Sequence, residues 1–175
     1  MKLIKFPSIE QFRNVVANVR RMATFVGITE DGDPIYDELA ELPTITFKGT
    51  VKLHGTNAGV CYNDQDGLYP QSKKQPLTIG KDNFGFASFV KSKEQLFLNT
   101  LNHIKEVHSI DTSIYTISLY GEWAGGNIQG IVAIKDLPKS LYTVGCKISK
   151  PSDPEFVSFW IDVSEIRFPE TDTCW

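Results

Sequence analysis

Thr50-Val51-Lys52-Leu53-His54-Gly55-Thr56-Asn57-Ala58-Gly59-Val60 sets one lysine among β-forming residues, just before a compact polar turn. Residues 44–51 are rich in β-branched side chains and Phe, follow Pro43 and are interrupted only by Lys48 and Gly49, so the spacing predicts a strand over about 44–52 with Lys52 at its end. Gly55 lets the backbone turn closely, and Ala58, Val60 and Tyr62 resume a strand. An amine so placed can be held against a phosphorus centre, provided its pKa is brought well below the free-lysine value of about 10.4 by neighbouring cations or desolvation. Taken alone, Lys-x-x-Gly also describes a lysine capping a hairpin, and so short a pattern recurs by accident.

Working outward, strands are predicted over about 57–63 and 67–71, with Asn63-Asp64-Gln65-Asp66-Gly67 as their hairpin loop. Further strands are predicted over 114–120, 128–134, 141–148 and 156–163, separated by Gly125-Gly126, Asp136-Leu137-Pro138 and Pro151-Ser152-Asp153-Pro154. Phe86, Phe89, Val90, Phe97, Leu101, Ile104 and Val107 recur at helical spacing between 84 and 107, with a break near 91–94. Near the start of the chain, Ser8 is placed to cap a helix and Gln11 to complete a capping box. Ile9, Phe12, Val15, Val16, Val19 and Met22 form the apolar stripe of that helix, read as core packing. Glu30-Asp31-Gly32-Asp33-Pro34 reads as a solvated turn rather than a metal loop. The fold class is α+β: antiparallel sheets with helices outside.

Composition bounds the function. At 175 residues, 41% of them hydrophobic, the chain can build one domain with a real core, and no linker-like stretch divides residues 1–175. A net charge of −3 and a pI near 5.6 mean that any nucleic-acid binding comes from local clusters, not bulk charge. Cys61, Cys146 and Cys174 are far apart and lack metal-ligand spacing, which suits structural thiols in a reduced compartment. His103 and His108 have no partner at ligand spacing and are assigned no chemistry. No apolar run is long enough for a signal peptide or a membrane span, so a cytoplasmic protein with no membrane partner is expected.

Three ordered blocks carry a family resemblance. Lys52-Leu53-His54-Gly55-Thr56-Asn57 closely resembles the nucleotidyl-acceptor motif of phage-type ATP-dependent RNA ligases, members of the covalent nucleotidyltransferase superfamily. Gln71-Ser72-Lys73-Lys74-Gln75 followed by Asp82-Asn83-Phe84-Gly85-Phe86-Ala87 looks like that family's second block. Tyr120-Gly121-Glu122-Trp123-Ala124-Gly125, with Ile128-Gln129 after it, looks like the third. The resemblance covers about residues 45–148 and implies the adenylation fold, in which nucleotide binds in a cleft between sheets.

By that resemblance Lys52 is the nucleophile that attacks the α-phosphorus of ATP and becomes lysyl-AMP. The AMP then passes to an RNA 5′-phosphate, and a 3′-hydroxyl displaces it to seal the ends. Magnesium, or manganese, is implied on charge grounds to offset the phosphates and orient the leaving group; its ligands are not legible. Glu122 is expected to accept a ribose hydroxyl, while His54, Gly55 and Asn57 approach the nucleotide and phosphates. Lys73, Lys74 and Lys81 form a small positive patch, Lys73 for the nucleotide and Lys74 and Lys81 for the RNA backbone. The family commonly carries arginine where Lys73 stands, and a lysine gives up the bidentate fork. Phe84 and Phe86 could stack on a base, but their register points to core packing. The family's adenine-stacking aromatic falls near Tyr142 or Val144, a choice the sequence leaves open.

The family's Glu-Gly and Lys-x-Lys blocks are not found. No glutamate precedes a glycine, and Lys91 to Lys93 falls upstream of Glu122 in a helical stretch. The chain therefore resembles the first, incomplete part of an adenylation domain. It is expected to seal RNA poorly as an isolated chain, because preorganised cationic contacts carry much of phosphoryl-transfer catalysis. The alternatives are one half of a split ligase completed by a second polypeptide, a non-catalytic nucleotide- or RNA-binding remnant, and DNA ligase-like end joining.

Overall fold

Strict alternation along β3 (Thr56–Asn63) sends Ala58 and Val60 to one face and Gly59 and Cys61 to the other, and this strand organises the sheet. The computed structural model describes residues 1–166 apart from Ile9, Lys48, Thr50 and Pro154. Within it β3 pairs antiparallel with β4 (Gly67–Ser72) on one side and with β5 (Thr116–Ala124) on the other. β6 (Ser140–Ser149) and β7 (Phe159–Ile161) complete a five-stranded sheet of order β4-β3-β5-β6-β7. The fold class is α+β with antiparallel sheets, as the residue patterns lead one to expect.

Two helices, α2 (Phe86–Ser92) and α3 (Glu94–Val107), supply Phe86, Ala87, Val90, Phe97, Leu101 and Ile104 to the apolar face. There they join Ala58, Val60, Ile117, Leu119, Trp123, Leu141, Cys146 and Ile148. The break between the helices is at Lys93, where the sequence placed it. Gly85, at the N-cap of α2, has no side chain to cap with, so Asp82 does the work. Its carboxylate accepts from the backbone N–H groups of Ala87 at 2.7 Å and Ser88 at 3.1 Å. Partial burial pushes the Asp82 pKa up, but these hydrogen bonds and the Ser88 hydroxyl outweigh it and hold the carboxyl below its ordinary value.

The opposite face is partly covered by the first residues of the chain. Gln71 pairs with Ile4 as if it were a strand neighbour. Its Oε1 accepts from Ile4 N–H at 3.0 Å, and its Nε2 donates to the Ile4 carbonyl at 2.6 Å. The Tyr69 hydroxyl donates to the Lys2 carbonyl and the Tyr120 hydroxyl to that of Ile4. Ile4, Cys61, Tyr69 and Tyr120 make a second buried cluster, with Phe6 packed against it. Burial pushes the thiols of Cys61 and Cys146 up to about 12, which suits the structural reading of both; Cys174 lies outside the described residues.

Backbone contacts divide the chain into two compact units: Met1–Phe6 with Lys52 onward, which holds this sheet, and Pro7–Val51. The second unit contains α1 (Phe12–Thr24) and a hairpin of β1 (Phe25–Ile28) and β2 (Pro34–Tyr36), with residues 30–33 as its exposed turn.

Four expectations are corrected. Ser8 does not cap α1, which starts at Phe12. The Gln11 carbonyl accepts from Asn14 and Val15, and the Asn14 side chain bonds Glu10, so no capping box forms; Ile9 lies outside the described residues. The α1 stripe is not core: Phe12, Val16 and Met22 are exposed, because one helix and a two-stranded hairpin cannot enclose a third layer. No strand forms over 44–52 among the described residues: β propensity makes a strand only where the segment pairs with a neighbour, and no described pairing involves it. The predicted strand over 128–134 is a series of turns. Gly125, Gly126 and Asn127 all take positive φ, and local bonds from Gly126 to the Leu137 carbonyl and from Asn127 to the Lys135 carbonyl close the loop on itself.

Candidate active site

At one end of the sheet, the start of β3, the end of β5, the end of β4 and the start of β6 come together. Lys52 lies in the irregular segment leading into β3 and is exposed. His54 is exposed beside it, and Gly55 bends the chain into the strand. Glycine is required there: a Cβ on residue 55 would sit 2.2 Å from the Trp123 carbonyl oxygen and 2.7 Å from the Ala124 side chain. The close approach the sequence predicted for this turn is therefore an approach to the back of β5.

Both ends of Gly55 are held. Its N–H donates to Glu122 Oε1 at 2.8 Å, and its carbonyl accepts from Gln129 Nε2 at 3.0 Å. Asn57 stands directly opposite Glu122 in the β3–β5 register, and Tyr142 faces Glu122 from β6. Asn57, Glu122 and Tyr142 thus share the face away from the helices and are all half-buried. The fold brings Lys52, His54, Gly55, Asn57 and Glu122 into one neighbourhood, although Glu122 is 67 residues from Gly55.

Lys73 and Lys74 are exposed in the turn that follows Ser72, whose strand partner is Ala58, so they flank the same end of the sheet. Lys81 is exposed in the next turn, closed by hydrogen bonds between Thr78 and Lys81. Asn83 connects this segment to the start of β3, its Nδ2 lying 3.4 Å from Thr56 Oγ1.

The two phenylalanines part company. Phe86 is fully buried against Trp123, with ring centroids 5.3 Å apart, in agreement with core packing. Phe84 is exposed and takes a φ of +52°, which a bulky side chain adopts only when its surroundings enforce it. Trp123 Nε1 at 3.2 Å and Lys139 Nζ at 2.9 Å both donate to its carbonyl and provide that enforcement. A helical period cannot anticipate a residue that lies just before the helix begins.

Gln129 and Lys139 take contacts at this end of the sheet that the sequence did not single out as roles. Gln129 was visible only as the tail of the third block, and nothing around Lys139 in Pro-Lys-Ser signals where its ammonium goes. Val144 is the extra residue of a bulge in β6, where Tyr120 pairs with Gly145 and Gly121 with Thr143; it is exposed, while Tyr142 stays beside Glu122. A cavity of about 570 Å³ lined by Asn63, Asp66, Thr112 and Thr116 lies at the far end of the strands, away from these residues. Among the described residues no group of three or more His, Cys, Asp and Glu is placed to hold a metal ion, and no helix is long and apolar enough to cross a membrane.

Comparison with known proteins gives one family. No curated protein matches the chain significantly. The RNA ligase family model matches residues 45–170, which takes in the Lys52-bearing loop, the Lys73–Lys74 turn, Glu122 and the whole five-stranded sheet. A match over that span, on a chain whose Lys52-bearing loop and Glu122 meet in space, shows that this protein belongs to the RNA ligase family.

Proposed function

We propose that this ligase-family chain is a phage-type, ATP-dependent nucleotidyltransferase that works through a lysyl-adenylate and joins RNA ends. The observation that carries the proposal is the hydrogen bond from Gly55 N–H to Glu122, which ties the lysine-bearing loop to the acid proposed to hold the ribose.

Lys52 Nζ, as the free amine, attacks the α-phosphorus of ATP. A P–N bond forms, the bond between the α-phosphorus and the bridging oxygen breaks, pyrophosphate leaves, and the proton lost by the amine passes to solvent. The carboxylate of Glu122 accepts from a ribose hydroxyl, and Asn57, opposite it, offers both a donor and an acceptor. His54, on the same loop, packs against or hydrogen-bonds the nucleotide. Lys73 meets the nucleotide phosphates, and Lys74 and Lys81 the RNA backbone, as exposed point charges that salt should screen. The 5′-phosphate of one RNA end then displaces Lys52 from AMP, and a 3′-hydroxyl attacks that phosphate and expels AMP. Magnesium or manganese would supply charge neutralisation on the phosphates; among the described residues no group of three or more His, Cys, Asp and Glu is placed to hold it, and no ligand is assigned to it.

The test is intact-mass spectrometry of the purified chain with ATP and magnesium. A single AMP adduct on wild type and none on Lys52→Ala is expected. Absence of any adduct, including after adding a polypeptide that carries Glu-Gly and Lys-x-Lys blocks, would sink the nucleotidyltransferase reading and leave a nucleotide- or RNA-binding remnant. An adduct only with the added polypeptide identifies a split ligase. Matched RNA and DNA ends then decide between RNA and DNA joining.

A further inference from the structure

In the Pro7–Val51 unit, α1 runs into β1 with no loop between them, and a cavity of about 380 Å³ opens at that junction, lined by Arg21, Met22, Phe25, Pro34 and Tyr36. Local chemistry builds it. Thr24, which ends the helix, turns its hydroxyl back to the Arg20 carbonyl at 3.0 Å, and Phe25 takes an extended backbone with φ −68° and ψ 124°. Phe25 then pairs directly with Tyr36, while the Asp37 N–H donates to the Thr24 carbonyl at 2.7 Å and ties the hairpin to the helix end. The two rings meet edge to face, with centroids 6.1 Å apart, and stay 47% and 40% exposed.

Arg21 is the charged member of that lining, and among the described residues no ion pair or hydrogen bond engages its guanidinium. α1 adds Arg13 and Arg20, both exposed and seven residues apart on one side of the helix, and carries no acid of its own. The unit's acids lie before the helix, in the hairpin turn at 30–33 and after β2 at 37–41, and none of them lines the cavity. Two ring surfaces beside a free guanidinium match a ligand that is flat and aromatic at one point and anionic at the next. A nucleotide of a single strand offers both in every repeat. An acidic peptide supplies the anion without the flat ring, and a duplex keeps its base faces stacked inside.

Resting on the RNA-joining reading above for the identity of the partner, we infer that the cleft at the α1–β1 junction binds a nucleotide of single-stranded RNA, with Phe25 and Tyr36 stacking on its base and Arg21 taking its phosphate. Arg13 and Arg20 extend the positive track along the helix for the phosphates that follow. Stacking tolerates any base and the charge contacts are sensitive to salt, so the cleft holds RNA without reading its sequence. Its residues are binding residues and supply affinity for the strand, with no part in phosphorus transfer.

The test uses the full chain and two fluorescent probes: a single-stranded RNA, and an abasic ribose-phosphate strand of the same length. Phe25→Leu, which keeps an apolar side chain and removes the ring, is expected to weaken RNA binding about tenfold and to leave the abasic strand unaffected. Arg21→Gln is expected to weaken both probes about fivefold and to lower the slope of log affinity against log salt by about one. RNA carrying thiouridine should cross-link within residues 21–36. Lys52 adduct formation with ATP should be the same in both variants as in wild type. Folded Phe25→Leu and Arg21→Gln chains that bind RNA as wild type does, or cross-links only outside residues 21–36, overturn the inference. Equal weakening of both probes by Phe25→Leu also overturns it, as the mark of a residue that only shapes the hairpin. A Lys52 adduct alongside any of these results leaves the nucleotidyltransferase reading standing, whereas no adduct with RNA binding that responds to both variants removes that reading and keeps this site.

Discussion

The two faces of the five-stranded sheet are made from the same strands, and they are covered by different means. One is closed by α2 and α3 mainly through apolar contact, around Phe86, Trp123, Leu101 and Ile104. The other is covered at one end by Met1–Phe6, held by named hydrogen bonds to Gln71, Tyr69 and Tyr120, and stays open where Asn57, Glu122 and Tyr142 stand. Apolar burial is non-directional and can seal a whole face, whereas a strap fixed by directional bonds covers only the stretch its partners reach. That difference leaves Asn57, Glu122 and Tyr142 half-buried on one face, while Phe86 and Trp123 are fully buried on the other.

The sharpest way to break this contrast is on the dry face. Trp123→Ala removes a fully buried indole that packs on Phe86 and Phe89, and should cost about 4 kcal/mol in urea unfolding. A loss under about 1 kcal/mol would mean that the helices do not hold that face. On the other face, Gln71→Leu keeps the volume and deletes both bonds to Ile4, leaving its N–H without the partner it has in the fold. About 2 kcal/mol is expected, together with faster hydrogen exchange at Ile4 and little change at Val60. Equal acceleration on both faces would show that the strap is not a separate device.

The smallest effect is at the helix entrance. Asp82→Asn weakens the cap of α2 by about 1 kcal/mol at neutral pH. Because the folded Asp82 carboxyl titrates below its ordinary value, its contribution is complete above the unfolded carboxyl pKa of about 3.9 and is lost as pH falls through the lower folded value. Wild type and variant should therefore converge in strong acid. A difference that persists there would assign the effect to packing rather than charge.

How much was legible beforehand follows the same division. The β3–β4 hairpin, the split helix over 84–107 and the burial of Phe86 were readable, because local periodicity and turn residues determine them. The 44–52 and 128–134 segments carried the same β-forming residues and yet form no strand among the described residues. A strand exists only where a neighbouring edge is free to pair, and that is not written in the segment itself. The exposed stripe of α1 errs in the same direction: spacing identifies the apolar side of a helix, not whether anything covers it.

The chain by itself determined the class of fold, the lysine-bearing block and its two companion blocks, since each is a matter of residue type and order. Only the tertiary structure decided that Glu122 reaches back to Gly55, that Gln129 holds the other side of that peptide, and that the indole of Trp160 lies over Gly145. Those contacts depend on strand register and on a bulge in β6. Register is the joint outcome of packing on both faces, so no short stretch of sequence contains it.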